Sequence, residues 1–395
     1  MLAKPEIYLD SNAGASLHPK VKEALQAMLN LDQLANPSSA HALGRKSKRL
    51  LNEARDQVCL SLHGFNAASH SAADASRIIF TSSGTEANQL AIRSVLEPLL
   101  NRGIKPHWII SAVEHDSHLQ MIPWLIARGG SVTALEVDSE GLPSLDSCKL
   151  ALKQETALLS LIWVNNETGV ILDPSPWTEL AQASGFKSHL DGAQAWGKLN
   201  LELEKLGADF VSFSGHKIGA MAGTGVLWTK DGSQASSEAG TILGKQERGS
   251  RGGTENLLGI VSLGTAAAHL DPSTWKNRLQ PLRDRFESHI QEHIRGLEVN
   301  AQSAARVANT SNLYIPGIAA DSLILKLDRE GYYVSAGSAC QSGVGKPSHV
   351  LLAMGQSPER AKSSIRVSFS NDISWDILEG FAAILKSAVE QLRKV

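Results

Sequence analysis

Between about residues 75 and 230, short apolar runs alternate with amphipathic stretches. Arg77–Thr81, His107–Ala112, Val132–Val137, Ala157–Val164, Asp209–Phe213 and Gly225–Thr229 are rich in Ile, Val, Leu, Phe and Trp. They are predicted as strands buried on both faces, because they run apolar without alternation. Glu86–Leu100 and Pro174–Ala183 have helical periodicity. Strands alternating with helices predict a mostly parallel α/β sheet covered on both sides. The pattern changes near residue 255. Leu257–Leu270 and Asn277–Gly296 read as long helices. Short strands are predicted at Ser311–Tyr314, Tyr332–Ser335 and Ser364–Phe369, and Ile373–Lys394 reads as a closing helix. This tail reads as a smaller α+β domain, with a soft boundary, since no Pro/Ser-rich linker marks it. No repeat of 20–50 residues is found.

Composition narrows the class. The 395 residues are 42% hydrophobic and 20% charged, which fits an ordinary globular chain of two or three domains. The 38 basic and 40 acidic residues leave a formal net charge of −2, without a block of like charges. No direct nucleic-acid partner and no membrane anchor are therefore expected. No apolar run approaches the ~18 residues of a membrane span. The first ten residues reach Glu6 and Asp10 before any hydrophobic segment, so no secretory signal is expected. Three cysteines, Cys59, Cys148 and Cys340, fit a reducing, cytoplasmic setting better than a disulfide framework. Metal-ligand spacing is absent, and no metal is expected.

Ligands of open α/β sheets sit beyond the C-terminal strand ends. Four polar segments follow strand runs there. Thr81–Asn88 precedes a helix, and its small hydroxyl and Gly residues offer either an anion cradle or a plain N-capping turn at Thr85 with Glu86. Val164–Gly169 (VNNETG) offers either a ligand contact or an Asn-rich turn. His189–Gln194 ends a short segment in Asp191, which either faces a cationic ring nitrogen or starts a turn. Ser212–Lys217 places a lysine at the end of an apolar strand, either as a solvated surface amine or as a partly buried one whose lowered pKa lets it form a Schiff base. Together, an anion site, an acidic residue and a lysine on successive strand ends point to pyridoxal phosphate (PLP), whose pyridinium nitrogen needs an acidic partner. A fifth segment, Ser335–Pro347, is dominated by Gly, Ala and Ser. A mobile loop is expected there, and Cys340 reads either as an accessible, nucleophilic thiol or as an incidental cysteine. Cys59 and Cys148 lie in amphipathic helix patterns and read as packing residues.

These motifs carry a resemblance. The chain resembles the cysteine desulfurases of the NifS/IscS type, in the class V aminotransferase group of fold type I PLP enzymes. The likeness runs almost end to end, from Tyr8-Leu9-Asp10-Ser11-Asn12-Ala13 and Asn36-Pro37-Ser38-Ser39 through FTSSGTEAN, Glu114-His115, VNNETG, HLDGAQAWGK and SFSGHK. It continues through Gln246–Thr254 and SAGSAC to Ser363–Ser368. The long loop around Cys340 resembles the NifS/IscS branch.

The resemblance implies a large PLP-binding α/β domain at 14–256 with a mainly parallel seven-stranded sheet. A small α+β domain would comprise 1–13 and 257–395, carrying the Cys340 loop and Arg366. It implies that Lys217 forms the internal aldimine, Asp191 pairs with the pyridinium nitrogen, Gln194 bonds the ring oxygen and His115 stacks on the ring. Gly84, Thr85, Ser214 and His216 would hold the phosphate, and Thr254 would reach the cofactor of a partner subunit in a homodimer. Asn166 would lie near the ring oxygen and substrate, Asn36 would contact substrate, and Arg366 would clamp the substrate carboxylate. Cys340 would take sulfur from L-cysteine as a persulfide, releasing L-alanine. The sulfur would pass to an acceptor protein, an iron–sulfur scaffold or a thiolation carrier for tRNA or a cofactor. Alternatives are another class V PLP enzyme, a selenocysteine lyase or an aminotransferase, or a non-catalytic sulfur-carrier scaffold. The chain departs from the family pattern at Ile218–Gly223, Arg251–Thr254, Gln341 and Ser370–Ser374. These positions bear on partner and acceptor choice more than on the cofactor.

Overall fold

The computed structural model describes residues 6–63, 75–232, 242–337 and 346–394. In chain order the strands are β1 (Ile7–Tyr8), β2 (Ile78–Thr81), β3 (His107–Ser111), β4 (Ser131–Leu135), β5 (Thr156–Ile162) and β6 (Lys187–Asp191). They continue with β7 (Phe210–Ser214), β8 (Gly225–Thr229), β9 (Glu298–Val299), β10 (Thr310–Tyr314), β11 (Tyr332–Tyr333) and β12 (Ser364–Ser368). Among the described residues the large sheet has seven strands in the order β2-β8-β7-β6-β5-β3-β4. β8 runs antiparallel to both neighbours, and the other pairings are parallel. The mainly parallel seven-stranded sheet is therefore present.

The helix Gly84–Asn101 shows why the sequence folds as it does. Ser83 is its N-cap, with Oγ accepting from the Glu86 amide at 3.1 Å, while the Glu86 carboxylate accepts from the Ser82 amide at 2.6 Å. This reciprocal pair satisfies amides that the first turn leaves open. The cap is thus Ser83, two residues before the Thr85 expected from the sequence. Ala87, Leu90 and Ala91 pack this helix against the sheet. Cys59 and Cys148 are both buried in helices, as expected of packing residues.

Two large hydrophobic cores flank the site. The first covers the large sheet and takes in Val58, Trp196, Phe213 and Trp228. The helix Leu257–Ala268, just past the expected boundary, adds Leu257, Ile260 and Leu263 to that same core and packs on the helix Ala42–Leu62. The second core joins the antiparallel sheet β12-β10-β9 to the helices Gln280–His293, Ala320–Arg329 and Trp375–Leu392. The N-terminal strand belongs to this second unit. β1 pairs with β11 in parallel, and Leu9 is buried in the second core. The chain then passes Ser11 beside Ser368 and delivers Asn12 to the joint between the two cores.

Candidate active site

The C-terminal ends of β2, β5, β6 and β7 open on one cavity of about 170 Å³. Its walls bring together Gly84, Thr85, His115, Asn166, Asp191, Gln194, Ser214, His216, Lys217 and Arg366. Residues far apart in the chain therefore converge as the resemblance implied. Asn36 and Thr254 do not line it. Asn36 is exposed and caps the Ser38 amide. Thr254 is exposed just past Arg251, whose Nε donates to Glu86 at 3.0 Å. Cys340 and Gln341 lie outside the described residues. The flanks of that segment are described, and both reach Glu167. Ser348 donates to the Glu167 carboxylate at 2.5 Å, and a Cβ on Gly337 would sit 2.7 Å from the same oxygen.

One wall suits an anion. Gly84 and Thr85 begin an 18-residue helix, so free amides and the helix dipole face the cavity. A Cβ on Gly84 would lie 3.0 Å from Ser214 Cβ, so the end of β7 and the helix start are in near contact. Ser214 Oγ and His216 Nδ1 are 2.9 Å apart. Burial, with Lys217 beside it, lowers the His216 pKa to about 4.

The floor is acidic and ordered. Asp191 ends β6, with one carboxylate oxygen accepting from the Ala193 amide at 3.0 Å and the other from Asn88 Nδ2 at 2.7 Å. Asn88 also donates to Ser117 Oγ at 2.8 Å. The Ser117 amide donates to His115 Nδ1 at 3.1 Å, so the neutral ring carries its proton on Nε2. Asn88 thus ties the Asp191 carboxylate, through Ser117, to His115. Behind Asp191 lies a buried row, with Glu114 Oε2 3.7 Å from His118 Nδ1 and His118 Nε2 3.4 Å from His189 Nδ1. Burial pushes the Glu114 carboxyl well above its usual range and pulls His118 down to about 4. His118 is therefore neutral at pH 7.

The lysine and the arginine arrive from opposite sides. Lys217 follows β7 on a short turn and donates to the carbonyls of Asn12 and Ala13 at 2.6 and 2.8 Å. Arg366 sits on β12, buried, with Nη2 on Asp10 at 2.5 Å and Nη1 on the Asn166 carbonyl at 3.1 Å. Its Nε is buried without a hydrogen-bond partner. The VNNETG segment divides its labour. Asn165 Oδ1 caps the amides of Glu167 and Thr168, forming the turn, while Asn166 lines the cavity. Asn165 thus makes the Asn-rich turn, and Asn166 is the residue of the pair that faces the cavity.

Sequence reasoning gave no role to Asn12, Asn88 or Lys198. Asn12 is a hub: its carbonyl accepts from Gln194 and Lys217, its Oδ1 accepts from Lys198, and its Nδ2 donates to Thr310. The signal for it was a lone Asn a few residues past β1, in the segment Leu9-Asp10-Ser11-Asn12. Lys198 was visible only as the last letter of HLDGAQAWGK.

A lysine, a buried carboxylate and an anion cradle around one cavity define the class. The chain matches the Aminotransferase class-V family over residues 7–377. A cysteine desulfurase of Nostoc sp. is 37% identical over 391 residues, covering 98% of this chain and 94% of that protein. A solved NifS-like protein superposes with a TM-score of 0.86 at 28% identity, covering 98% of this chain and all of the other. A structure described as SspA in complex with cysteine gives a TM-score of 0.78 at 30% identity, over 93% of this chain and 99% of that one. The chain belongs to the class V aminotransferase family and, within it, to the cysteine desulfurases. That family implies PLP, and the donor set fits it. Asp191 presents a carboxylate, Lys217 an amine, and Gly84, Thr85, Ser214 and His216 an anion site on one cavity. No described helix is long and apolar enough to cross a membrane.

Proposed function

We propose that this protein converts L-cysteine to L-alanine and carries the released sulfur on Cys340. The observation that supports this most is the single cavity holding Lys217, Asp191 and Arg366. Bound PLP would supply an electrophilic carbon for the substrate amine and a sink for electrons released at Cα. Asp191 keeps a ring nitrogen protonated, and Asn88 keeps Asp191 in place. His115, with its Nε2–H, forms the stacking platform. Lys217 holds and then moves the Cα proton. Arg366 orients the substrate carboxylate with its planar fork. Cys340, as thiolate, attacks the substrate sulfur. The Cβ–S bond breaks, an S–S bond forms, and the displaced thiol proton ends on carbon, giving alanine and a Cys340 persulfide.

The remaining parts of the reading are an L-cysteine-using homodimer in the cytoplasm, with Thr254 serving the partner's cofactor. An acceptor protein then takes the persulfide sulfur. The test is alanine release from L-cysteine by the PLP-loaded protein with a thiol reductant present. Release is expected from the wild type, and Lys217→Ala should lose both the visible cofactor band and turnover. Cys340→Ala should keep the band and lose release. Wild-type release rates from Cys340→Ala would sink the persulfide route and favour another class V reaction.

A further inference from the structure

Lys198 stands outside every role described so far. It is buried at 7% exposure and, among the described residues, has no carboxylate partner. Its Nζ donates to Gln194 Oε1 at 2.5 Å and to Asn12 Oδ1 at 2.7 Å, and the Trp275 ring lies 5.6 Å away. Burial, with Lys217 and Arg366 nearby, lowers its pKa well below the usual lysine range. A buried amine without a counter-ion is costly to keep. A methionine of similar length would fill the space without that cost.

The partners of Gln194 show what the amine does. Gln194 Nε2 donates to the Asn12 carbonyl at 2.9 Å, and Gln194 Oε1 accepts from Lys198. A carbonyl can only accept, and the lysine amine donates to both oxygens it touches. The two contacts together therefore fix which end of the amide is nitrogen. Nε2 keeps a second N–H, and Gln194 lines the cavity. We propose that Lys198 is a positioning residue that pins the Gln194 amide oxygen away from the cavity, so that Gln194 offers a ring-bearing ligand only an N–H donor. This rests on the proposed PLP site, where a donor at that place meets the ring's phenolic oxygen. Without Lys198 only the Asn12 carbonyl holds the amide, and the oxygen, no longer held by a donor on its own side, is free to swing toward the cavity and meet the phenolate.

The test uses the PLP-loaded protein and reads a titration, not turnover. The visible absorption band is followed from pH 6 to pH 10 in wild type, Lys198→Met, Gln194→Ala and the double variant. A donor to the ring oxygen favours its ionised form and so eases loss of the shared proton. Losing that donor should raise the midpoint of the colour change by about one pH unit in K198M and weaken PLP binding about tenfold. In the Q194A background, K198M should move the midpoint no further. An unmoved midpoint in K198M, or an equal shift with and without Gln194, overturns the proposal. If K198M does not fold, Lys198→Gln replaces it, since its shorter amide cannot span both oxygens, and the same upward shift is required. A wild type that takes up no PLP overturns the cofactor reading and this proposal with it. A loaded wild type with an unmoved variant overturns this proposal alone.

Discussion

His118 makes the acid sensitivity of the large domain calculable. It is fully buried among Glu114, His189 and Trp108, with the Trp108 ring 6.2 Å away. Burial lowers its pKa from 6.5 to about 4; the nearby Asp191 charge opposes this and His115 adds to it. The folded value is below the unfolded one, so the unfolded chain binds more protons between them. The stability His118 contributes is therefore fully present above about pH 6.5 and is lost as pH falls toward 4. With those two values the loss between pH 7 and pH 5 is about 1.8 kcal/mol.

Glu114 titrates with the opposite sign. Its raised pKa makes the folded state favour the protonated acid, so it adds stability below its unfolded value and loses it as pH rises. Comparing wild type with His118→Gln cancels that contribution, since Glu114 is present in both. His189 is depressed by burial and by His118, so removing His118 relaxes it in the same direction. The assay is urea unfolding of the cofactor-free protein at pH 7 and pH 5. At an m of about 3 kcal/mol/M, the wild-type midpoint should drop by roughly 0.6 M more than that of H118Q. Equal drops in both proteins would mean that His118 is hydrated or already charged in the fold, and the argument fails.

Two further outcomes follow from buried ion pairs. Arg366→Lys keeps a cation but loses the fork, so kcat/KM for L-cysteine should fall about 100-fold, mainly through KM, with the PLP band retained. A fall of less than about threefold would remove Arg366 from substrate binding. Glu247 meets Arg55 in two contacts of 2.6 and 3.0 Å and also accepts the Phe80 amide. Glu247→Gln strands a buried guanidinium and should cost about 3 kcal/mol in thermal unfolding, whereas a loss under about 1 would show the pair to be hydrated.

The strands most legible in the sequence were those whose side chains are apolar on both faces, such as Leu158–Ile162 and Phe210–Phe213. β6 is different, because Lys187-Ser188-His189 has no apolar run. It is nonetheless a central strand. His189 Nε2 lies 2.9 Å from Ser212 Oγ, and its Nδ1 faces His118 and Ser160. Polar residues that satisfy one another across neighbouring strands leave no hydrophobic pattern to read. Only its terminal Asp191, placed by motif, was visible. Asn12 and Lys198 were illegible for another reason. They meet across 186 positions, and neither residue type signals a site by itself. The cap at Ser83 was missed by two residues because Thr81, Ser82, Ser83 and Thr85 are all good capping types. The backbone direction leaving β2 chooses among them.

The cavity's own charges explain why an anion is its natural occupant. Lys217 and Arg366 reach it from opposite units, and Asp191 faces them from the floor. Asp10 engages Arg366 from the small unit, so the guanidinium is partly neutralised before any substrate arrives. His216 reports the field at the opposite end. Burial depresses it most, and the Lys217 charge depresses it further, so that wall repels an added proton. Burial alone would disfavour a charge of either sign, and it is the Lys217 amine beside this wall that favours a negative group over a positive one. The helix start at Gly84 acts in the same direction through its amides. Asp191, by contrast, lies at the end of β6 near the buried row, where a cationic ring nitrogen would be held. The cavity is thus polarised along its length, anionic ligand at one end and cationic nitrogen at the other. Among the described residues, the small unit enters this arrangement through Asn12, Asp10 and Arg366. Binding a carboxylate at Arg366 must compete with Asp10. On the proposed reading, substrate recognition then falls at the joint between the two cores rather than within either one.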